Sequence, residues 1–398
     1  MNKLSIRDLD LAKKRVFIRA DFNVPVSGGK VTDDTRIRAT LPTLKLAMDR
    51  GARLVIASHL GRPKGKPEPK YSLAPVAERL KELIGKPVIF ASDCVGEGPE
   101  SRSRALKDGN VLLLENVRFH SEEEKNDETF SRQLAALCDG IYVCDAFGSA
   151  HRAHASVVGI TRFVRQAAAG LLMEQELDYL GNALTNPQRP FLAILGGAKV
   201  SDKIEVIENL IKIANTILIG GAMAYTFFRA KGFTTGKSLV EEDKIDLALM
   251  LLGESVERHC RIVLPADHIL ARAPEEGAQT QITGVEGTPA DWMGLDIGPK
   301  TIELFRAEIA KARTIVWNGP LGMFEKPSFA RGTVDIARAV ADATAKGAIS
   351  IVGGGDSVAA VEQAGVAKRI SHISTGGGAS LEFLAGRKLP GVEALSSR

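Results

Sequence analysis

The stretch FLAILGGAKVSDK, residues 191–203, joins an apolar run to a pair of glycines and two lysines. The apolar run is too short for a helix and is typical of a buried strand in a parallel sheet. Gly196 and Gly197 let the backbone approach an anion closely, and a helix is expected to open after them. Lys199 and Lys203 would then share one helix face, where an anion offsets their unfavourable place at a helix start. The stretch predicts a phosphate site, with a plain glycine turn and two solvated lysines as the alternative.

The same order of apolar run, glycines and helix start recurs through the second half of the chain. It is found in TILIGGAMA (216–224), TIVWNGPLGMFE (314–325), ISIVGGGDS (349–357) and HISTGGGAS (372–380). Glycine loops that open onto helices suit the phosphates of a nucleotide. Asp356 is a candidate for Mg²⁺ bound to those phosphates, or else a helix cap. Glu325 is a candidate for a ribose hydroxyl, although a solvated loop carboxylate is the simpler interpretation.

The first half ends its apolar runs on cationic and polar residues instead. These runs are VFIRADFNVP (16–25), RLVIASHLGRP (53–63), VLLLENVRF (111–119) and IYVCDAFGSAHRAHAS (141–156). The planar guanidinium group of Arg suits phosphate and carboxylate, so recurrence at strand ends favours a shared anion pocket over scattered surface residues. Arg19 lies inside a strand pattern, and a structural ion pair is expected for it.

Short apolar runs alternate with helical patterns, which is typical of parallel sheets with right-handed crossovers. LLMEQELDYLGNAL (171–184) has helical spacing and is followed by TNPQRP, where two prolines stop the helix. The alternation then begins again. We therefore expect an α/β protein with an N-terminal domain over 1–170, a connecting helix and hinge over 171–188, and a second domain from 189. Ligands bind beyond the carboxyl ends of strands in such sheets, which gives each domain one binding edge.

Composition limits the class of protein. The chain has 398 residues, 44% of them hydrophobic, and a net charge of +4, which suits two soluble domains and is too weakly basic to indicate nucleic acid. It has no run long enough to span a bilayer and no apolar leader after its first residue, so a cytoplasmic protein is expected. The four cysteines lack C-x-x-C or Cys/His ligand spacing, which predicts free buried thiols and no zinc site.

Nine motifs match, in order, those of phosphoglycerate kinases. They are DFNVP, SHLGRP, ENVRF, FGSAHRAHAS, GGAKVSDK, GGAMAYTF, WNGPLGMFE, GGGDS and TGGGAS, and they extend over essentially the whole chain. The chain therefore closely resembles the phosphoglycerate kinase family, bacterial type. The resemblance implies two Rossmann-like lobes, each a parallel sheet flanked by helices, with the nucleotide lobe over 189–380. It also implies a C-terminal segment, 381–398, that returns to the N-terminal, phosphoglycerate-binding lobe.

The resemblance also implies a reaction, the reversible transfer of a phosphoryl group from 1,3-bisphosphoglycerate to Mg-ADP, giving 3-phosphoglycerate and ATP. Transfer would be in line and on hinge closure, in a monomer of the cytoplasm that serves glycolysis and gluconeogenesis. One alternative is another two-lobed kinase for a small phosphorylated carboxylate. A second is a non-catalytic two-domain protein that closes on an anion, which the glycine loops beside Lys199 and Asp356 argue against.

The matching motifs carry the family's residue roles onto this chain. Phosphoglycerate would be bound by Asp21, Asn23, Arg36, His59, Arg62, Arg118 and Arg152. Nucleotide would be bound by Lys199, Lys203, Gly220, Gly221, Glu325, Gly353, Gly354, Gly355, Asp356 and Ser357, with Asp356 at Mg²⁺. The migrating phosphoryl group would be contacted by Arg36, Lys199, Gly376 and Gly377. Two positions depart from a frequent family pattern, with small expected effects on nucleotide affinity: Ala222 in place of Gly and Ser357 in place of Thr.

Overall fold

The computed structural model describes residues 2–398, and in this range the chain forms two compact units. The first comprises the residues up to Asp178 together with Lys388–Arg398, and the second comprises Tyr179–Arg387. The division falls inside the connecting helix, which was predicted over 171–184 and is found at Leu171–Thr185. The chain passes from one unit to the other after Asp178 and after Arg387, whereas the sequence predicted these limits after 170 and after 380.

The first unit is built on a parallel sheet. Its strands are β1 (Arg15–Ala20), β2 (Val26–Ser27), β3 (Lys30–Val31), β4 (Arg53–Ala57), β5 (Val88–Phe90), β6 (Val111–Leu113), β7 (Ile141–Asp145) and β8 (Gln166–Ala169). Within the described range the order is β5-β6-β4-β1-β7-β8, with every pairing parallel, while β2 and β3 form a separate hairpin. The helices are α1 (Thr35–Asp49), α2 (Ala74–Ile84), α3 (Glu97–Arg104), α4 (Ser121–Glu124), α5 (Glu128–Ala135) and α6 (Leu171–Thr185).

Burial explains why the central strands read as continuous apolar runs. Every residue of β7 is buried, and so is every residue of β1 after Arg15. A strand covered by helices on both faces has no polar side, so it loses the alternation of a half-exposed strand. Polar residues are left to the loops after the strands, which is where the candidate side chains of this unit lie.

The second unit repeats this plan. Its strands are β9 (Phe191–Leu195), β10 (Thr216–Ile219), β11 (Thr234–Thr235), β12 (Arg261–Val263), β13 (Asp267–Ala271), β14 (Thr280–Gly284), β15 (Gly287–Thr288), β16 (Met293–Ile297), β17 (Thr314–Asn318), β18 (Ile349–Gly353) and β19 (His372–Ile373). Its helices are α7 (Ile204–Ile211), α8 (Met223–Ala230), α9 (Ile245–Glu257), α10 (Pro299–Ile309), α11 (Arg331–Ala345), α12 (Gly355–Gln363) and α13 (Gly378–Leu384).

Two sheets of the second unit position its pocket. The larger is parallel, in the order β12-β10-β9-β17-β18-β19, so that β9, β10, β17 and β18 end at one edge. The smaller is antiparallel, with β13 between β14 and β16. The α/β class with parallel, helix-flanked sheets, predicted from the sequence, is confirmed.

The end of the chain belongs to the first unit. A short helix, α14 (Pro390–Glu393), places the amide of Gly391 2.8 Å from the carbonyl oxygen of Ala150. The amide of Ser396 lies 2.8 Å from the carbonyl oxygen of Ala167 in β8. These bonds attach the last residues to the edge of the first sheet.

Among the helices of residues 2–398, none combines the length and the hydropathy that a membrane span requires.

Candidate active site

Polar side chains gather at the carboxyl edge of the first sheet. Asp21 and Asn23 follow β1, His59 follows β4, Arg118 follows β6, and Arg152 follows β7. These four strands are consecutive in the sheet, in the order β6-β4-β1-β7. Parallel neighbours end on the same edge, so the topology brings together residues that are far apart in sequence.

A chain of hydrogen bonds connects Arg36, on α1, to Arg118. Arg36 Nη1 donates to Asp21 Oδ1 and to the backbone oxygen of Asn23, both at 3.2 Å. The side-chain oxygen of Asn23 accepts from the amide of Gly61 at 2.9 Å, and the Gly61 carbonyl accepts from Arg118 Nη1 at 3.0 Å. Asp21 and Asn23 thus orient two guanidinium groups at one edge.

Positive charge is concentrated in this cluster. Burial, and then the charges of Arg19, Arg118 and Arg36, hold the pKa of His59 well below its usual value, so its ring is neutral. Burial lowers the pKa of Arg118 as well, and the nearby charges of Arg19 and Arg152 act in the same direction. Cations that destabilise one another in this way are stabilised by an anion placed among them.

The sequence predicted a structural ion pair for Arg19, but among the residues that the structure describes, Arg19 reaches a carboxylate only through a serine hydroxyl. Its buried Nε donates to Ser156 Oγ at 2.7 Å, and its Nη2 lies 3.2 Å from His59 Nδ1. Ser156 Oγ in turn donates to Glu123 Oε1 at 2.6 Å. A serine hydroxyl therefore bridges the buried cation and the buried carboxylate, since both ions need hydrogen-bond partners away from water.

Arg152 and Arg62 differ in how closely they join the cluster. Arg152 is half-buried, and its charge acts on both Arg118 and His154. Arg62 follows Gly61 in the loop after β4 but is exposed, and within residues 2–398 no hydrogen bond or ion pair attaches it to the cluster. The structure brings six of the seven predicted phosphoglycerate residues together and leaves Arg62 at the surface.

In the second unit, several glycines allow loops to pack backbone against backbone. Gly221 has φ +68°, and a Cβ there would lie 2.6 Å from the Gly197 carbonyl oxygen and 2.8 Å from that of Pro320. A Cβ on Gly196 would clash with Pro320, and one on Gly220 with the Leu321 side chain. The amides of Gly197 and Gly221 donate to the carbonyls of Pro320 and Leu321. These glycines therefore join the ends of β9, β10 and β17, and their amides are already used.

Other glycine loops present open backbone. Gly354 (φ +90°) precedes α12, and nothing lies within 4 Å of a Cβ on Gly355. Gly377 (φ +51°) precedes α13 and faces equally open space. The first amides of α12 have no acceptor within the helix, so they can bind an anion. Ser357, also predicted for nucleotide, is buried and accepts from the amide of Gly319 at 2.6 Å.

The two lysines of the opening motif occupy different environments, contrary to the shared helix face expected for them. Helix α7 begins only at Ile204, so both lysines precede it. Lys203 is buried, and its Nζ donates to the side-chain oxygen of Asn318. Burial lowers the pKa of Lys203 to about 8, against the opposing charges of Asp202 and Asp356. Lys199 is exposed in the loop before it.

A pocket of about 240 Å³ opens beside these loops. It extends from Asp356 and the Gly197 and Gly221 loops to the small antiparallel sheet, and Glu325 is among its lining residues. Its apolar lining comes from Phe228, Pro265, Leu295, Ile297 and Leu321. An apolar cavity with a few carboxylates along its lining suits a flat heterocycle that carries a polar tail.

Polar groups of this pocket that sequence reasoning missed include Tyr225, His268 and Asp296. Tyr225 Oη lies 2.7 Å from His268 Nδ1, and His268 Nε2 lies 3.0 Å from Thr283 Oγ1. Burial lowers the pKa of His268 to about 4, so it is neutral. Tyr225 lies within the motif GGAMAYTF, so the sequence could have indicated it. His268 lies on β13 and Asp296 on β16, and neither belongs to any of the nine motifs.

Both the sequence and the fold of this chain match those of known proteins. The family model described as "Phosphoglycerate kinase" matches residues 6–387. The chain is 61% identical to the phosphoglycerate kinase of Acidobacterium capsulatum and 60% identical to that of Koribacter versatilis, with full coverage of both chains in each case. The solved phosphoglycerate kinase of Coxiella burnetii superposes with a TM-score of 0.90 at 41% identity, covering 98% of each chain.

Proposed function

We infer the chemistry of this protein from one premise: the chain belongs to the phosphoglycerate kinase family. It is a phosphotransferase that moves a phosphoryl group between 1,3-bisphosphoglycerate and ADP, giving 3-phosphoglycerate and ATP in glycolysis. The family predicted from the nine motifs is thereby confirmed. Another kinase for a phosphorylated carboxylate is not favoured.

We propose that the cationic cluster of the first unit binds the phosphoglycerate. The observation that supports this most strongly is the lowered pKa of the buried Arg118, which is caused by burial and then by the charges of Arg19 and Arg152. An anionic substrate among them replaces repulsion with charge-assisted hydrogen bonds, and Arg supplies these in a fixed planar fork. Asp21 would act on Arg36 by orienting it, and Arg62 would reach the substrate from the surface.

We propose that the nucleotide lies along the second unit's pocket. The base would occupy the apolar part near Phe228 and Leu321, with Glu325 at the ribose. The phosphates would extend toward Asp356, where the open backbone at Gly355 and the first amides of α12 supply donors. Gly353 and Gly354, predicted for the same role, pack against the Asn318 side chain. Lys203 would add its charge from below this loop, and Lys199 from the exposed side.

Asp356 fits the expected Mg²⁺. It is an exposed carboxylate in the first turn of α12, and its charge acts on Lys203. Mg²⁺ in kinases typically takes one or two carboxylates and completes its oxygen ligands with phosphates and water. Bound with the nucleotide, it would offset negative charge on the phosphates during transfer.

Transfer itself needs positioning and charge stabilisation, since the acyl phosphate is already reactive. Arg36 and Lys199 would contact the migrating group, and the amide of Gly377 would offer a further donor. The amide of Gly376, predicted for the same role, already donates to Ser374 Oγ at 3.2 Å. The two substrates are assigned to different units, so we propose in-line transfer on hinge closure, which also excludes water. From the family's glycolytic role we further propose a cytoplasmic monomer.

A coupled assay tests the reaction. The protein is mixed with Mg-ATP and 3-phosphoglycerate, and glyceraldehyde-3-phosphate dehydrogenase with NADH reports 1,3-bisphosphoglycerate. NADH should be consumed only when all three components are present. If folded protein binds Mg-ATP but consumes no NADH, the assignment of 3-phosphoglycerate to the cationic cluster is wrong.

A further inference from the structure

The fold assembles a cluster of three potential metal ligands that no local spacing in the sequence reveals. Asp93 and Cys94 follow β5, whereas His120 follows β6, the adjacent strand. One ligand atom from each side chain lies within 4.8 Å of the others. The sequence predicted no zinc site because Cys94 and His120 lie far apart in the chain; parallel pairing of β5 with β6 removes that objection.

We propose that Asp93, Cys94 and His120 bind one divalent cation of the thiolate- and imidazole-seeking class, such as Zn²⁺ or Co²⁺, at a site distinct from the nucleotide's Mg²⁺. Carboxylate, thiolate and imidazole are the three ligand types that zinc uses in proteins. Three protein ligands leave the fourth tetrahedral position to water, which is the arrangement of open zinc sites.

Hydrogen bonds already orient the three groups toward one point. The imidazole Nε2 of His120 lies 2.7 Å from Asp93 Oδ1. The same carboxylate accepts from the backbone amide of Cys94 at 2.6 Å, and the Cys94 Sγ lies within 4.8 Å of the carboxylate and imidazole ligand atoms. Asp93 therefore faces both the thiol and the imidazole, and a cation placed among them would replace the thiol proton, which passes to solvent.

The spacing requires only a small adjustment. Metal–ligand distances of about 2.0–2.3 Å in a tetrahedron put ligand atoms roughly 3.3–3.7 Å apart. Asp93 and His120 must separate by less than about 1 Å, while no pair of the three ligand atoms is more than 4.8 Å apart. The Asp93 side chain is 51% exposed, so little packing opposes this adjustment.

The surroundings support a cation at this place. The ring of His120 stacks on Phe130 with centroids 5.1 Å apart, which fixes its plane. Cys94 is buried beneath the more exposed Asp93 and His120, so a cation can be reached from solvent while its thiolate ligand is shielded.

Cobalt titration of the whole protein, without nucleotide or chelator, tests the site. Tetrahedral Co²⁺ bound to a thiolate gives a near-ultraviolet charge-transfer band and visible d–d bands. We expect both to saturate at one equivalent and to persist in excess Mg²⁺. Absence of the charge-transfer band, or its displacement by Mg²⁺ at equal concentration, would overturn the proposal.

Variants assign the ligands. Cys94→Ser should abolish the charge-transfer band, and Asp93→Asn should weaken Co²⁺ binding at least about tenfold. Cys138→Ser is the matched control, because Cys138 is also buried and its thiol donates to the Ala135 carbonyl, a bond that serine can keep. A band unchanged in Cys94→Ser, or lost in Cys138→Ser, contradicts the site. If Cys94→Ser fails to fold, Asp93→Asn, changed at an exposed side chain, decides the question.

Discussion

Lys203 and Asn318 form a buried hydrogen bond in the second unit, with Lys203 Nζ donating to the asparagine side-chain oxygen. Lys203 immediately precedes α7 and Asn318 ends β17, so the bond ties together two loops of the nucleotide edge. The side-chain amide nitrogen of Asn318 is buried, and residues 2–398 offer it no hydrogen-bond partner. Burial lowers the pKa of Lys203 to about 8, so the free protein loses this positive charge at mildly alkaline pH.

Affinity for Mg-ADP should therefore fall as the pH rises above about 8, by at most tenfold per pH unit. The phosphates favour the charged lysine, so binding above its pKa requires proton uptake. Lys203→Met should bind weakly and show a flatter pH profile. Calorimetric titration between about pH 7 and pH 9 measures both slopes. Equal slopes in the two proteins would show that Lys203 is not the group responsible.

Arg36→Ala should lower kcat by about 100-fold or more and leave the Kd for Mg-ADP nearly unchanged. The change removes the donor that we propose for the migrating group, and one such donor is typically worth about 100- to 1000-fold. Arg38→Ala is the matched control, since Arg38 lies on the same helix and pairs with Asp34 at the surface. Steady-state kinetics compare the two. Normal turnover by Arg36→Ala would remove this residue from the mechanism.

Gly221→Ala should destabilise the second unit by about 1–3 kcal/mol from its positive φ alone, with more from contact with the Gly197 and Pro320 carbonyls. Gly181→Ala offers the contrast, because Gly181 lies in helix α6 with nothing within 4 Å of its Cβ position. It should stabilise by about 0.5–1 kcal/mol. Thermal denaturation measures both changes. A neutral Gly221→Ala would mean that the loops pack less tightly than described.

Asp145→Asn should stabilise the protein at neutral and alkaline pH but not in acid. Burial raises the pKa of Asp145 to about 7, while its Oδ1 accepts from the amides of Leu172 and Met173. A carboxyl whose pKa is higher in the folded state costs stability as pH rises from about 4 to 7, by up to about 4 kcal/mol. Melting curves across this range should diverge from wild type with rising pH. A constant difference would contradict the buried-acid assignment.

Local pattern predicted the elements well because apolar runs and glycines act over short distances. The strand at 191–195 and the helix at 171–185 lie where the periodicity put them. The cationic cluster could also be predicted from the sequence. Asp21, His59 and Arg118 each come after a strand, and these three strands are neighbours in the sheet.

The environments of several site residues could not be predicted from the sequence, because they depend on contacts between distant segments. Gly196 and Gly221 lie in sequence motifs typical of phosphate-binding loops. In the structure, however, backbone carbonyls of neighbouring loops lie closest to their Cβ positions. Lys199 and Lys203 are both lysines of one motif but differ in burial. Lys203 is buried and donates to Asn318, whereas Lys199 is exposed. His268 reaches the pocket through the small sheet, and Cys94 meets His120 through strand pairing, neither of which leaves a spacing signal.

The proposed division of substrate binding between Arg118 in one unit and Lys203 in the other is tested most directly by measuring two ligands on two variants. Arg118→Met and Lys203→Met each replace a buried cation with an apolar side chain of similar length, one in each unit. Calorimetry would measure 3-phosphoglycerate and Mg-ADP separately on both. We predict that Arg118→Met loses affinity only for 3-phosphoglycerate and Lys203→Met only for Mg-ADP. Loss of both ligands in either folded variant, or the reverse pairing, would contradict the assignment of one substrate to each unit.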